Sequence, residues 1–420
     1  MNLKNSLQSP YNVLVITFCG VFFYAFTIDT PATIYHGLIK IISTTDIVLA
    51  DYIVIGGTGA TLVNTALVVL INILLLKRLA IPLNGAIIMA LWLLAAFSFF
   101  GKNIFNIWSI ILGGYLYAKY QKQPFKKFAL VTLLSTALSP LVSQLAFAPQ
   151  VTQPYSFIMA NILGVLVGFI MPPISANAMK IHGGYNLYNV GFAAGVVGCI
   201  FLAALKNFNF ATLPTVTWSN DNNMPLIFLS ILIFSYLIVI GLYCGENNYA
   251  NMRRIMNSSG CLVSDYYDKY AATAYLNMGL LGMFSLLVVL FLLNAPLNGP
   301  TLGGILTIMG FGCFGKHIKN ITPIMLGCII ATFFGHWELN NPTIVLAILF
   351  STCLAPIAGQ FGFCFGLLAG FLHISVVMNI NIGLMHGGLN LYNNGLAGGL
   401  VASVLVPLIE ALKQNDSGRL

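Results

Sequence analysis

Charge is what this sequence has least of. Ten Asp+Glu and 18 Lys+Arg leave 7 % of its 420 residues charged, against about 25 % in a soluble domain. Hydrophobic residues make up 58 % and mean hydropathy is +0.90, so the polar surface is too small to cover a globule of this size. A soluble enzyme, a nucleic-acid reader and a disordered chain are excluded. The pI near 9.0 is no nucleic-acid signal, because the basic residues stand scattered between apolar runs. Eight cysteines form no CxxC pair and no metal-ligand spacing. Most sit inside apolar runs and read as packing residues. There is no Walker lysine loop, HExxH, GxSxG or carboxylate pair. ATP-driven transport and hydrolysis therefore lack support, and neither an enzyme nor a metal or cofactor is expected.

What is present is a series of apolar runs of spanning length. A transmembrane helix needs about 20 mostly apolar residues. Such runs lie near 11–29, 52–76, 83–100, 104–119, 127–147, 156–176 and 184–205, then near 224–243, 270–293, 299–315, 320–336, 342–357, 362–383 and 387–411. The first of them has no small-residue cleavage site and reads as a span rather than a signal peptide. Two shorter, more polar stretches, 33–50 and 247–265, are either interfacial or re-entrant.

The two sets of runs match because the sequence is duplicated. Asp51-Tyr52 recurs as Asp265-Tyr266, Pro82-Leu83-Asn84-Gly85 as Pro296-Leu297-Asn298-Gly299, and Phe100-Gly101-Lys102 as Phe314-Gly315-Lys316, all at an offset of 214 residues. Ser135-Thr136 with Pro140 and Gln144 recurs as Ser351-Thr352 with Pro356 and Gln360, at offset 216. HGGYNLYNVGFAAG (182–195) recurs as HGGLNLYNNGLAGG (386–399), at offset 204. Residues 1–206 form the first repeat, 207–223 an extracellular linker, and 224–420 the second repeat.

Seven spans per half is odd, so the second copy should sit upside down. With the N-terminus inside, fifteen of the 18 basic residues fall on the cytoplasmic side and only Lys40, Lys102 and Lys206 fall outside, as the positive-inside rule requires. The expected fold is all-α: a polytopic membrane protein of about 14 transmembrane helices in two inverted-topology repeats, with broken or re-entrant helices. The expected location is a bacterial inner or plasma membrane, with both termini cytoplasmic.

Inverted repeats commonly build secondary transporters, with the site near the midplane where helices break. The HGG motifs are candidates for such breaks. Gly183, Gly184, Gly387 and Gly388 let the backbone leave the helix, while Asn186, Asn189, Asn390 and Asn393 supply donors and acceptors. Gly191 and Gly195, like Gly395 and Gly399, fall on one helix face and permit close helix approach. His182 and His386, which open the motifs, are either polar caps or proton-sensitive ligands. His373, inside an apolar run, is either a site residue or a neutral histidine bonded to a carbonyl. Pro140 and Pro356 suggest broken spans whose freed backbone groups are met by nearby hydroxyls, with Gln144 and Gln360 one turn on, facing a polar cavity.

Lys102 and Lys316 read first as snorkelling loop residues. Because Lys102 falls outside against the charge rule, it is also a candidate to neutralise an anion or pair with Asp51. Asp51 and Asp265 read as helix N-caps ahead of ion coupling. No acid occupies the middle of a span: Asp29, Asp46, Asp221, Glu246, Glu338 and Glu410 cluster at ends and loops. That favours a neutral polar or anionic solute, carried either uncoupled or with Na⁺ held by backbone groups.

The duplicated HGGxNLYNxGxAxG element, with FGK…N…P ahead of it, resembles an uncharacterised family of bacterial multi-pass membrane proteins known as a domain of unknown function. The resemblance implies membrane location and duplication, and no chemistry. The pattern from Tyr188 to Gly195, and from Tyr392 to Gly399, is also similar to a helix start in urea channels, which are built from inverted halves. The threonine- and phenylalanine-lined slots of those channels have no match placed here.

The first expectation is therefore a transporter for a small polar solute, in a lipid bilayer, with no nucleic-acid partner, as a single chain or a homo-oligomer. The alternatives are a urea-type passive channel or a membrane-embedded enzyme acting on a lipid-linked substrate through His182, His386 and Lys102. A non-transporting receptor or scaffold is a third.

Overall fold

The computed structural model describes residues 9–46, 49–147, 151–208, 216–261, 264–391 and 393–417. Both chain ends, on which the cytoplasmic placement of the termini bears, lie outside the described residues, as do part of the linker 207–223 and Tyr392 of the second motif. Each copy builds the same series of seven helices. The first contains α1 (Pro10–Ile28), α2 (Thr58–Arg78), α3 (Gly85–Phe97), α4 (Trp108–Tyr120), α5 (Ala129–Ala146), α6 (Tyr155–Ile181) and α7 (Asn189–Lys206). The second contains α8 (Met224–Cys244), α9 (Thr273–Leu292), α10 (Gly299–Cys313), α11 (Ile318–Gly335), α12 (Pro342–Phe361), α13 (Phe363–Ile380) and α14 (Asn393–Gln414).

Eleven helices among the described residues are long and apolar enough to cross a bilayer, so the chain is a multi-pass membrane protein. The other three, α3, α4 and α10, are shorter than the spans 83–100, 104–119 and 299–315 that hydropathy predicts. Their ends follow from local chemistry. Asn84 caps α3 and Asn298 caps α10, each side chain accepting from an amide three residues on at 3.0 Å. Beyond the helix ends the chain turns at Gly101 and Gly315, whose φ values of +95° and +93° suit glycine alone. The 13 residues of α3 rise about 20 Å, less than the ~30 Å hydrocarbon core. Every residue of α3 is buried, so protein rather than lipid must satisfy its ends.

The copies are inverted. The start of α3, at Gly85, lies against the end of α10, where the Cys313 thiol donates to the Gly85 carbonyl at 3.1 Å. At the opposite end Gly299 meets the Phe99 carbonyl and Gly303 that of Ala96. The helices α7 and α14 cross in the same sense: Gly195 meets Leu396, Gly399 meets Phe192, and Gly395 meets the Gly191 backbone. Corresponding helices thus pack antiparallel, and a two-fold that relates antiparallel spanning helices lies in the membrane plane. The glycine face expected in both motifs makes this close crossing.

Both proline-marked spans are broken. A 3₁₀ turn at Thr136–Leu138 interrupts α5, and its counterpart at Ser351–Leu354 interrupts α12. Hydroxyls meet the carbonyls of the preceding turn, as expected: Ser135 donates to Val131 and Thr136 to Leu133 (2.7 and 2.6 Å), Ser351 to Ile348 and Thr352 to Leu349 (2.7 and 2.8 Å). The short helices Pro31–Ile42 and Asn248–Met256 overlap the stretches 33–50 and 247–265, and neither is long enough to span.

Candidate functional site

Each short helix, capped by its own asparagine, also receives an aspartate from the other copy at its start. Asp265 accepts from Asp268 N at 2.9 Å and caps its own short helix there, and it also accepts from Gly85 N and Ala86 N at 3.1 and 3.2 Å. It thereby closes the start of α3 in the other copy. Asp51 accepts from Ile53 N and Ser219 N at 3.1 and 3.2 Å, and its carboxylate lies against Gly299 at the start of α10. Both aspartates therefore hold backbone amides at helix starts, where a negative charge is favoured by the unsatisfied N–H groups. Asp51, the candidate partner of Lys102, spends its carboxylate on these amides.

The HGG motifs are exchanged in the same way. Backbone φ turns positive at Gly183 and Gly184 (+58° and +81°) and at Gly387 and Gly388 (+58° and +74°), so the chain leaves the helix at both. Each following segment docks on the broken span of the other copy. Leu187 N donates to the Cys353 carbonyl, and Leu391 N to that of Ala137, both at 2.9 Å. These carbonyls belong to the 3₁₀ turns, so the break supplies the acceptor that the motif uses. Asn186 donates to the Gly395 carbonyl at 2.9 Å and Asn390 to the Gly191 carbonyl at 3.3 Å. This pair of amides clamps α7 to α14.

Between the copies lies a cavity of about 170 Å³. Its polar lining comes from Tyr188, Asn189, Asn393, Asn394 and Thr307, and its aromatic wall from Phe97, Phe311, Phe314 and Phe350. Leucine, valine and methionine side chains complete it. Of the four asparagines singled out by the duplication, Asn189 and Asn393 line this space, while Asn186 and Asn390 serve the clamp. Asn189 also donates to the Ser175 carbonyl at 3.0 Å, and its side-chain oxygen meets His182 Nε2 at 3.0 Å. His182 and His386 take the amides of Asn186 and Asn390 on Nδ1, both at 3.4 Å. His373 is fully buried and its Nε2 meets Asn394 Oδ1 at 3.0 Å, so it positions a residue of the cavity wall without lining it.

The lysines of the FGK segments lie in the turns between helices, but they are buried and do not snorkel. Lys102 and Lys316 are both 0 % exposed. Lys316 Nζ donates to the Tyr188 hydroxyl at 2.8 Å and to Thr352 Oγ1 at 2.7 Å, and it stands 4.5 and 4.6 Å from the ring centroids of Tyr188 and Phe311. Lys102 Nζ stands 5.3 Å from the Phe97 centroid. Positive-inside counting treats a lysine between two apolar runs as a surface residue, and burial by the opposite copy overturns that. Gln144 is buried near the end of α5, whereas Gln360 is exposed, and neither lines the cavity.

Two groups of residues escape sequence reasoning. The aromatic wall is one, although Phe97 and Phe311 share the 214-residue offset and each precedes its lysine by five positions. The other is a polar cluster around Asp46, which is 1 % exposed and accepts from Asn103 and Asn106 at 3.3 and 3.2 Å. Its sequence position suggests a loop acid. Among the described residues no group of three or more His, Cys, Asp or Glu side chains is placed to hold a metal ion.

One family model, described as a protein of unknown function (DUF1576), matches the chain twice, over residues 30–207 and 245–411. The chain belongs to this family, and the double match is the duplication seen from outside. No curated protein and no solved structure matches.

Proposed function

We propose that this member of the DUF1576 family carries a small solute across the membrane through the cavity between its inverted copies. The observation that carries the reading is that both NLYN motifs bring the same asparagine, Asn189 and Asn393, to one cavity between the copies. Inverted repeats let one central site face either side by rocking of one copy against the other. A void of about 170 Å³ is close to the ~150 Å³ cavity known to admit benzene. The solute is therefore compact, with apolar surface for the aromatic wall and one polar group for the amides. The apolar lining narrows the small polar solute expected from sequence to one with a substantial hydrocarbon body.

Transport of this kind needs no chemical step. His182, His386 and Lys102 do not line the cavity, so it does not gather them around a lipid-linked substrate. The placement proposed is a bacterial cytoplasmic membrane, and the charge distribution supports an inside N-terminus. The test is solute-driven swelling of proteoliposomes, followed by stopped-flow light scattering with small amides and carboxylates. The Asn189→Ala, Asn393→Ala double variant should lose flux while remaining monodisperse; wild-type flux in that variant would remove the site from the account.

A further inference from the structure

We propose that Lys102 and Lys316 make the cavity selective for a monoanionic solute with an apolar body, a small carboxylate. This inference rests on the transport reading and names the solute class of the same site. The two lysines correspond at an offset of 214 residues, as do Phe97 and Phe311. Each ammonium stands against its own phenylalanine, at 5.3 and 4.6 Å from the ring centroid, and both rings line the cavity. Two basic groups therefore flank one space from opposite copies, immediately behind its aromatic wall.

Among the described residues the cavity lining contains no Asp or Glu. On the Lys316 side the described polar contacts are two neutral hydroxyls, Tyr188 and Thr352. Hydroxyl oxygens and ring faces stabilise an ammonium but do not neutralise it. On the Lys102 side the buried acid Asp46 accepts from Asn103 and Asn106, and its counterpart in the second copy is Gly260. An anion in the cavity stabilises the charged form of the buried Lys316 amine, which burial alone disfavours, so proton and carboxylate binding are coupled, and Tyr188 connects the two. Its hydroxyl accepts from Lys316, and its ring forms part of the wall. A solute carboxylate would take hydrogen bonds from Asn189 and Asn393 while its hydrocarbon part meets Phe97, Phe311 and Phe350.

The experiment compares matched acid and amide pairs (acetate with acetamide, isobutyrate with isobutyramide, benzoate with benzamide) for binding to purified protein by calorimetry. At least one acid should bind at least tenfold more tightly than its amide. Lys316→Met should erase that preference, bringing acid and amide affinities to within about twofold of each other, and Lys316→Arg should keep it. A purely structural role for Lys316 would weaken both members of a pair equally. Equal or tighter binding of the amides by the unaltered protein would overturn the anion inference and leave the transport reading standing. Binding of neither member of any pair would overturn both. Because the wild-type preference needs no variant, misfolding of Lys316→Met does not leave the inference undecided.

Discussion

The two copies share a frame and differ in how they fill it. In both, an asparagine reaches from the second long helix to close the FGK turn: Asn64 donates to the Ser98 and Lys102 carbonyls at 2.9 and 3.0 Å, Asn277 to those of Gly312 and Lys316 at 2.6 and 2.8 Å. In both, Asn106 or Asn320 donates to the carbonyl of Gly101 or Gly315, at 3.0 and 2.9 Å. Around that frame the first copy places the side chain of Asp46 against Asn103 and Asn106. The second instead brings backbone in: Gly260, at φ +75°, lies against the Gly315 carbonyl, and His317 meets the Ser258 carbonyl at 3.0 Å. Duplication has kept the hydrogen bonds that hold the turn and let the surrounding polarity diverge.

The comparison can be broken most severely at Gly260. Gly260→Asp, which copies the first repeat's acid into the second, needs a left-handed backbone and room that the Gly315 carbonyl occupies. It should cost more than about 4 kcal/mol, read as loss of monodisperse protein in detergent. Asp265→Ala comes next. It leaves the first amides of α3 without an acceptor in a buried setting and should cost about 2–3 kcal/mol, read from thermal unfolding in detergent. Asp46→Asn should be the mildest, at about 1 kcal/mol, because an asparagine oxygen still accepts from Asn103 or Asn106. If Asp46→Asn were as damaging as Asp265→Ala, the acid found in the first copy alone would matter as much as a cap kept in both, and the contrast between the copies would fail.

Much of this arrangement can be read from residue order. The motifs that recur at fixed offsets are the ones that turn, cap or break the chain, because those tasks demand glycine, aspartate, asparagine or proline whatever surrounds them. Gly183-Gly184 and Pro140 declare themselves in this way. Helix length is less visible: hydropathy runs on through Phe99 and Phe100, although α3 ends at Phe97, because an apolar residue in a buried turn scores like one in a span. Burial by the other copy is not visible at all. An offset reports that Gln144 and Gln360 are alike, yet one is buried and the other exposed. Nor does it report that Asp265 serves Gly85, or that Lys316 meets Tyr188, since these contacts join the end of one copy's motif to the middle of another's. The cavity arises from such crossed contacts, so its wall is the part of the site least open to sequence reasoning.

The most direct test is a pair of cryo-EM maps of the protein in lipid nanodiscs, with and without a saturating small carboxylate. Transport between the copies predicts added density bounded by Asn189, Asn393, Phe97 and Phe311, present only with the solute. Density for a lipid acyl chain filling that space in both maps would contradict it.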